Sequence, residues 1–163
     1  MKLILETNDK DLWETEICEK LCEQTENGCY VVPHGNAGLD IVMPVSVTVP
    51  VAQKNFKLHL GVKIKSSGHT MLCLRSSAPK IGIRQSNSVG IVDRGYRGEL
   101  ILCFDNVMMK SVTIPKGKRV CQLVALDGSQ IEFEFGKVGN DTSRGEGGFG
   151  STDAIVAEKI QTI

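Results

Sequence analysis

From Val31 onward, apolar and polar residues alternate in short runs, the period of two that a half-buried strand requires. In "FKLHLGVKIK", Phe56, Leu58, Leu60, Val62 and Ile64 alternate with Lys57, His59, Lys63 and Lys65. "VSVTVPV" sets Val45, Val47, Val49 and Val51 on one face, and the runs "TMLCL", "ELILCF", "SVTI", "RVCQLVAL" and "IEFEF" follow. Turn signals separate them at Asn27-Gly28, Gly35-Asn36, Ser67-Gly68, Pro115 to Gly117 and Asp127-Gly128. Many short strands, with no segment of helical length between them, predict an all-β barrel or jelly roll over residues 31–135.

The ends read differently. Residues 1–30 form an extension in which Leu12, Trp13, Ile17 and Leu21 fall near one helical face, with Asn8 or Asp9 available as N-cap, so a short helix packing its apolar stripe on the barrel is expected. Residues 136–152 are rich in glycine and almost without apolar side chains, and cannot by themselves offset the entropy of ordering. They read as a flexible lid, followed by a C-terminal extension over residues 153–163.

Composition narrows the function. Lys+Arg and Asp+Glu are 19 each, so the chain carries no general positive field for a nucleic-acid backbone. The six cysteines form no C-x-x-C pair, which argues against a structural zinc site. Cys73, Cys103 and Cys121 sit inside apolar runs and read as reduced core thiols. "MKLILETND" is too short an apolar run for a signal peptide, and no segment has the length of a membrane span. A soluble, intracellular protein is expected, cytoplasmic or nuclear, with neither nucleic acid nor membrane as partner.

Several short stretches could carry chemistry. "SRGEGGFGST", residues 143–152, combines glycines that let the backbone approach a ligand with Arg144, Ser151 and Thr152 for phosphate oxygens and Phe149 for a base; a solvated linker has the same composition. "LRSSAP" puts Arg75, Ser76 and Ser77 at a strand-to-loop junction able to cradle an anion. Asp40 in "NAGLDIVMP" is either a turn aspartate or a site residue, and Gln122 interrupts an apolar strand, where a buried amide needs partners. In "GIVDRGYRGEL", Asp93 and Gly95 fit a hairpin turn. A carboxylate at a strand end also suits a general base for water, with Tyr96 as a platform for a sugar.

In order, "NAGLD", "LRSSAP", "NSVGIVDRGYRGEL", "RVCQL" and "RGEGGFGST" resemble the five motifs of the homotrimeric dUTPase (dUTP diphosphatase) family, over residues 36–152. The resemblance implies a distorted jelly-roll β-barrel and hydrolysis of dUTP to dUMP and diphosphate by attack of water on the α-phosphorus. It also implies a homotrimer with shared active sites and Mg2+ held by triphosphate and water rather than by the protein. By position, Asp93 matches the family's water-activating base and Tyr96 the ring under the deoxyribose. Asn87 and the backbone of Gly90, Ile91 and Val92 match the uracil-reading hairpin. Arg75, Ser76, Ser77 and Gln122 match phosphate contacts from a neighbouring subunit, and Asp40 a supporting aspartate. Phe149 matches the cap on uracil, while Arg144, Gly150, Ser151 and Thr152 match the tail around the outer phosphates.

The chain departs from the family pattern at Leu74, where many relatives have proline, at Ala78 after Ser77, and at Asp153, which adds a negative charge beside the last motif. Two other readings compete: a catalytically weak, dUTPase-like module that binds a partner protein, and the related dCTP deaminases. The intact Asp93, Tyr96 and glycine-rich tail weigh against the first, and the Phe-containing tail against the second.

Overall fold

The computed structural model describes residues 1–148, so Phe149, Gly150, Ser151 and Thr152 lie outside the described residues. Among the described residues, thirteen strands account for most of the regular structure. A seven-stranded sheet runs in the order β2 (Glu23–Gln24), β3 (Tyr30–Val31), β13 (Glu132–Phe135), β1 (Lys2–Thr7), β6 (Phe56–Ser66), β10 (Glu99–Asn106), β8 (Ile83–Gln85). A four-stranded sheet runs β4 (Gly38–Val42), β12 (Arg119–Ala125), β7 (Thr70–Leu74), β9 (Gly90–Val92), and β5 (Val47–Val49) pairs with β11 (Val112–Ile114). The inward side chains form one core: Leu5, Leu60, Ile64, Leu102 and Phe104 from the large sheet meet Leu39, Ile41, Leu72, Cys121 and Leu123 from the smaller one. The fold is all-β, as the alternation predicts.

Strand β6 obeys the alternation almost residue for residue: Leu58, Leu60, Val62 and Ile64 are buried, while Lys57 and His59 are exposed. The valine run does not. Val45 and Val51 are exposed at 55% and 50%, and only Val49 is fully buried. Pro44 and Pro50 bracket β5, and proline removes the N–H a ladder needs, so the strand stops at three residues.

Residues 1–30 are more than an appendage. Strand β1 lies between β13, parallel to it, and β6, antiparallel, with Leu3 and Leu5 buried. A helical stretch follows from Lys10 to Leu21, with a π-helical turn at Glu14–Cys18 in its middle. The Asp9 carboxylate caps it by accepting from the Leu12 N–H at 3.1 Å. Its apolar stripe is driven into the core, with Trp13 and Ile17 exposed by 1% and 0%. All six cysteines are free thiols, and burial pushes Cys18 up to about 12 and Cys22 to about 11. No helix among the described residues is long and apolar enough to cross a membrane.

Candidate active site

Strand β9 ends at Val92, and the chain reverses through a turn in which the Tyr96 N–H donates to the Asp93 carbonyl at 2.9 Å. Turn and candidate base therefore coincide, because the turn that ends the strand carries the Asp93 carboxylate to a cavity wall. The cavity measures about 240 Å³ and is lined by Asn87, Gly90, Ile91, Val92, Asp93, Tyr96 and Arg144, together with Leu72, Leu100, Ile101, Gly147 and Gly148. Two features hold the Tyr96 ring. Its hydroxyl donates to the Glu99 carbonyl at 2.8 Å, and a methyl group on Gly98 would lie 2.5 Å from the hydroxyl oxygen, so only glycine leaves room for it. Partial burial raises the Tyr96 phenol above its usual range.

The Asp93 carboxylate, 46% exposed, has Arg144 Nε 3.4 Å from one oxygen and His69 Nδ1 3.9 Å from the other. His69 Nδ1 also accepts from the Arg94 N–H at 3.2 Å, which ties the turn to the loop before β7. Behind the hairpin the Gln85 side chain takes over where β9 stops pairing with β7: its amide donates to the Leu72 carbonyl at 3.0 Å and accepts from the Leu74 N–H at 3.2 Å. Two backbone groups are thereby satisfied beyond the last ladder pair, Leu72 with Gly90.

Asp40, Arg75, Ser76 and Gln122 line a second cavity of about 340 Å³, walled by Ile17, Leu21 and Cys22 of the N-terminal helical stretch. Asp40 accepts from Arg75 Nε at 2.9 Å and from Arg119 Nη1 at 3.1 Å. Burial pushes its carboxyl above the ordinary carboxylate range, and the two guanidiniums oppose that shift. Ser77 lines neither cavity; it heads the 3-10 turn Ala78–Ile81. Gln122, opposite Asp40 on β4 and Cys73 on β7, is only partly buried, which answers the need of its amide for a polar setting.

The motif residues are thus brought together in two groups. Both flank β7: Asp93 follows Val92, which pairs with Thr70 at one end of that strand, whereas Arg75 and Ser76 follow Leu74 at the other, four residues or about 13 Å along it. Sequence reasoning missed Arg119, His69 and Gln85. Arg119 could not be placed by counting, because a bulge between Arg119 and Cys121 shifts the register and leaves it, with Gln122, outside the core. Among the described residues no group of three or more His, Cys, Asp or Glu is disposed to hold a metal ion.

Comparison with known proteins follows the same lines. A family model described as dUTPase matches residues 29–153. The deoxyuridine 5'-triphosphate nucleotidohydrolase of Legionella pneumophila (strain Paris) is 36% identical over 123 residues, covering 72% of this chain and 81% of that protein. The Pol polyprotein of caprine arthritis encephalitis virus (strain Cork) is 32% identical over 126 residues, 77% of this chain but only 11% of the polyprotein. The solved structure of a Staphylococcus bacteriophage 80alpha dUTPase mutant shares the fold, with a TM-score of 0.54 at 19% identity over 92% of this chain and 97% of that one. With a family model covering most of its length and a relative of this similarity, the chain belongs to the dUTPase family.

Proposed function

We propose that this protein is a dUTP diphosphatase, hydrolysing dUTP to dUMP and diphosphate and thereby limiting uracil incorporation into DNA and supplying dUMP for dTMP synthesis. The observation that carries the reading is the first cavity, where the Asn87 to Val92 hairpin, the Tyr96 ring and the Asp93 carboxylate share one wall.

Asp93 accepts a proton from a water whose oxygen bonds to the α-phosphorus; the bridging bond to the β-phosphate breaks and diphosphate leaves. A carboxylate nearly half exposed at the rim can reach such a water while its other face is held by Arg144 and the turn. The hairpin backbone of Gly90, Ile91 and Val92, with Asn87, pairs with uracil; cytosine presents the opposite donor and acceptor pattern and would leave those groups unmatched. Tyr96, fixed by Gly98 and Glu99, lies under the deoxyribose and leaves no room for a ribose 2′-hydroxyl. Arg75, Ser76, Ser77 and Gln122, with Arg119 added, hold the phosphates. Their place beyond the Leu74 end of β7, while Asp93 follows Val92 opposite Thr70 at the other end, supports a homotrimer in which a neighbouring subunit supplies them. Phe149, Gly150, Ser151 and Thr152 keep the roles their motif implies: Phe149 caps uracil and the others meet the outer phosphates with Arg144.

Asp40 is committed to two guanidiniums and Asp93 faces a third, so the donors that suit Mg2+ are triphosphate oxygens and water. When bound, Mg2+ neutralises phosphate charge and favours departure of diphosphate.

Diphosphate release from dUTP, dCTP, dTTP and UTP tests the proposal: turnover is expected with dUTP far above the other three. Asp93→Asn is expected to lose at least about 10²-fold in kcat, the scale of a general base, while still binding nucleotide. Unchanged turnover in that variant would remove Asp93 from its role.

A further inference from the structure

Strand β6 is longer than the stretch of β10 it pairs with. Glu99 stands opposite Lys63 and Ile101 opposite His59, so Leu100 alone faces Leu60, Gly61 and Val62. Leu60, Val62 and Leu100 are all buried, and the extra length is taken up at Gly61, whose φ of +65° glycine adopts without strain. Pro44 lies against the kink: a methyl group on Gly61 would come within 3.2 Å of Pro44 Cβ.

The kink is stitched from both sides. Its carbonyl accepts from the Asn8 N–H at 3.3 Å, just past Thr7 and Val62, the last pair of β1 with β6. The Gly61 N–H is met by a side chain in place of a strand carbonyl, donating to Glu99 Oε1 at 2.6 Å. Glu99 Oε2 lies 2.8 Å from His59 Nδ1. The His59 side chain is 62% exposed, and an ion pair in that much water contributes little, so the Gly61 N–H is the contact that fixes the carboxylate.

The main chain of the same residue ends at the site. The Glu99 carbonyl accepts from the Tyr96 hydroxyl at 2.8 Å. Glu99 lines neither cavity, so whatever it does to a ligand runs through that ring. A carboxylate kept for solubility would point both oxygens at water; this one, 31% exposed, has both engaged. A side chain gripped at its tip leaves the backbone that carries it little room to turn.

We propose that Glu99 is a positioning residue for the sugar platform: its carboxylate holds the β6 kink at Gly61 and thereby sets the carbonyl on which the Tyr96 hydroxyl rests, and so how closely the ring approaches C2′ of the nucleotide. The ligand in this statement rests on the dUTP diphosphatase reading, whereas the linkage from Gly61 to Tyr96 is tested apart from turnover.

The chain has two tyrosines, Tyr30 and Tyr96, so ring-carbon-labelled tyrosine gives an NMR spectrum of two residues, assigned with Tyr96→Phe. Glu99→Ala is expected to move the Tyr96 Cζ resonance and leave that of Tyr30 in place. Glu99→Gln, whose amide oxygen still accepts from Gly61, is expected to restore it. In turnover, Glu99→Ala is expected to narrow the ratio of kcat/KM for dUTP over UTP about 10-fold, and Glu99→Gln to recover it to within about 3-fold of the wild type. A merely structural residue would lower turnover of both nucleotides alike and leave the ratio alone. An unmoved Tyr96 resonance or an unchanged ratio in Glu99→Ala overturns the proposal, as does a Glu99→Gln variant that behaves like Glu99→Ala. Should Glu99→Ala fail to fold, Glu99→Asp, whose carboxylate stops one methylene short of the Gly61 N–H, carries the same two expectations. A wild-type chain that leaves dUTP intact refutes the diphosphatase reading alone, because the tyrosine spectrum does not depend on turnover.

Discussion

Replacing Gly98 with alanine tests how the Tyr96 ring is held. The added methyl carbon would lie 2.5 Å from the phenol oxygen, 2.6 Å from Cζ and 2.9 Å from Cε2. Carbon atoms at ease sit about 3.5–4.0 Å apart, so the ring must recede by about 1 Å. It has little freedom to do so, being packed against the core and anchored through its hydroxyl to the Glu99 carbonyl at 2.8 Å. The overpacking is expected to cost about 1–3 kcal/mol of stability, and losing the hydroxyl bond about 0.5–1.5 kcal/mol. A 1 Å displacement of a substrate platform lowers kcat/KM by about 10²-fold, and discrimination between dUTP and UTP narrows with it. Diphosphate release on both nucleotides, with thermal melts, reads all three effects. A double-mutant cycle isolates the contact: in a Tyr96→Ala background, Gly98→Ala is expected to cost no more than about 0.5 kcal/mol. Wild-type kcat/KM and melting temperature in Gly98→Ala, or an equal penalty in both backgrounds, would refute the reasoning.

Two further substitutions test the fold beneath the site. Ile17→Ala, at a side chain with no exposure, is expected to destabilise by about 2–5 kcal/mol in denaturant unfolding, showing that the N-terminal helical stretch belongs to the core. Asp105 accepts from the Asn55 N–H at 2.9 Å and from the Ser86 hydroxyl at 2.7 Å, and these bonds lower its pKa to about 2. A depressed carboxylate stabilises above the unfolded-state value of about 3.9 and loses that contribution as pH falls toward the folded value. Melting temperature is therefore expected to drop less steeply between about pH 4 and 2 in Asp105→Asn than in the wild type.

What the sequence made legible depended on how local each signal is. Strand β6 alternates within itself, so Leu58 to Ile64 could be assigned from their neighbours alone. Strand β1 could not: its partners, β6 and β13, lie far along the chain, and "KLILET" is too short to declare itself. The valines at 45 and 51 misled because the run begins just after Pro44 and continues through Pro50, while the strand holds only Val47–Val49. At the site, the motif order located Asp93, Tyr96 and Arg144, which share a cavity, and Asp40, Arg75, Ser76 and Gln122, which share another. That these are two cavities, reached from opposite ends of β7, is a matter of strand pairing and register, which the motifs do not encode. The Glu99–Gly61 contact joins residues 38 apart, and in sequence Glu99 is only one more charge after a turn.

The arginines of both cavities are each held by a carboxylate before any nucleotide arrives: Asp40 takes Arg75 and Arg119, and Asp93 faces Arg144. A chain of formal net charge +0 offers no general field to gather a triphosphate, so in the proposed reading capture rests on where these few cations stand. Fixing them in advance removes most of the side-chain ordering that binding would otherwise have to offset. Arg75, for example, spends Nε on Asp40 and Nη1 on the Arg119 carbonyl, which locks the plane of its guanidinium toward the cavity it lines. The same carboxylates set a limit, since each neutralises part of the charge it positions. An arrangement of this kind sacrifices raw affinity for geometry, which suits the proposed reaction, where phosphates must be aligned for attack by water more than merely retained.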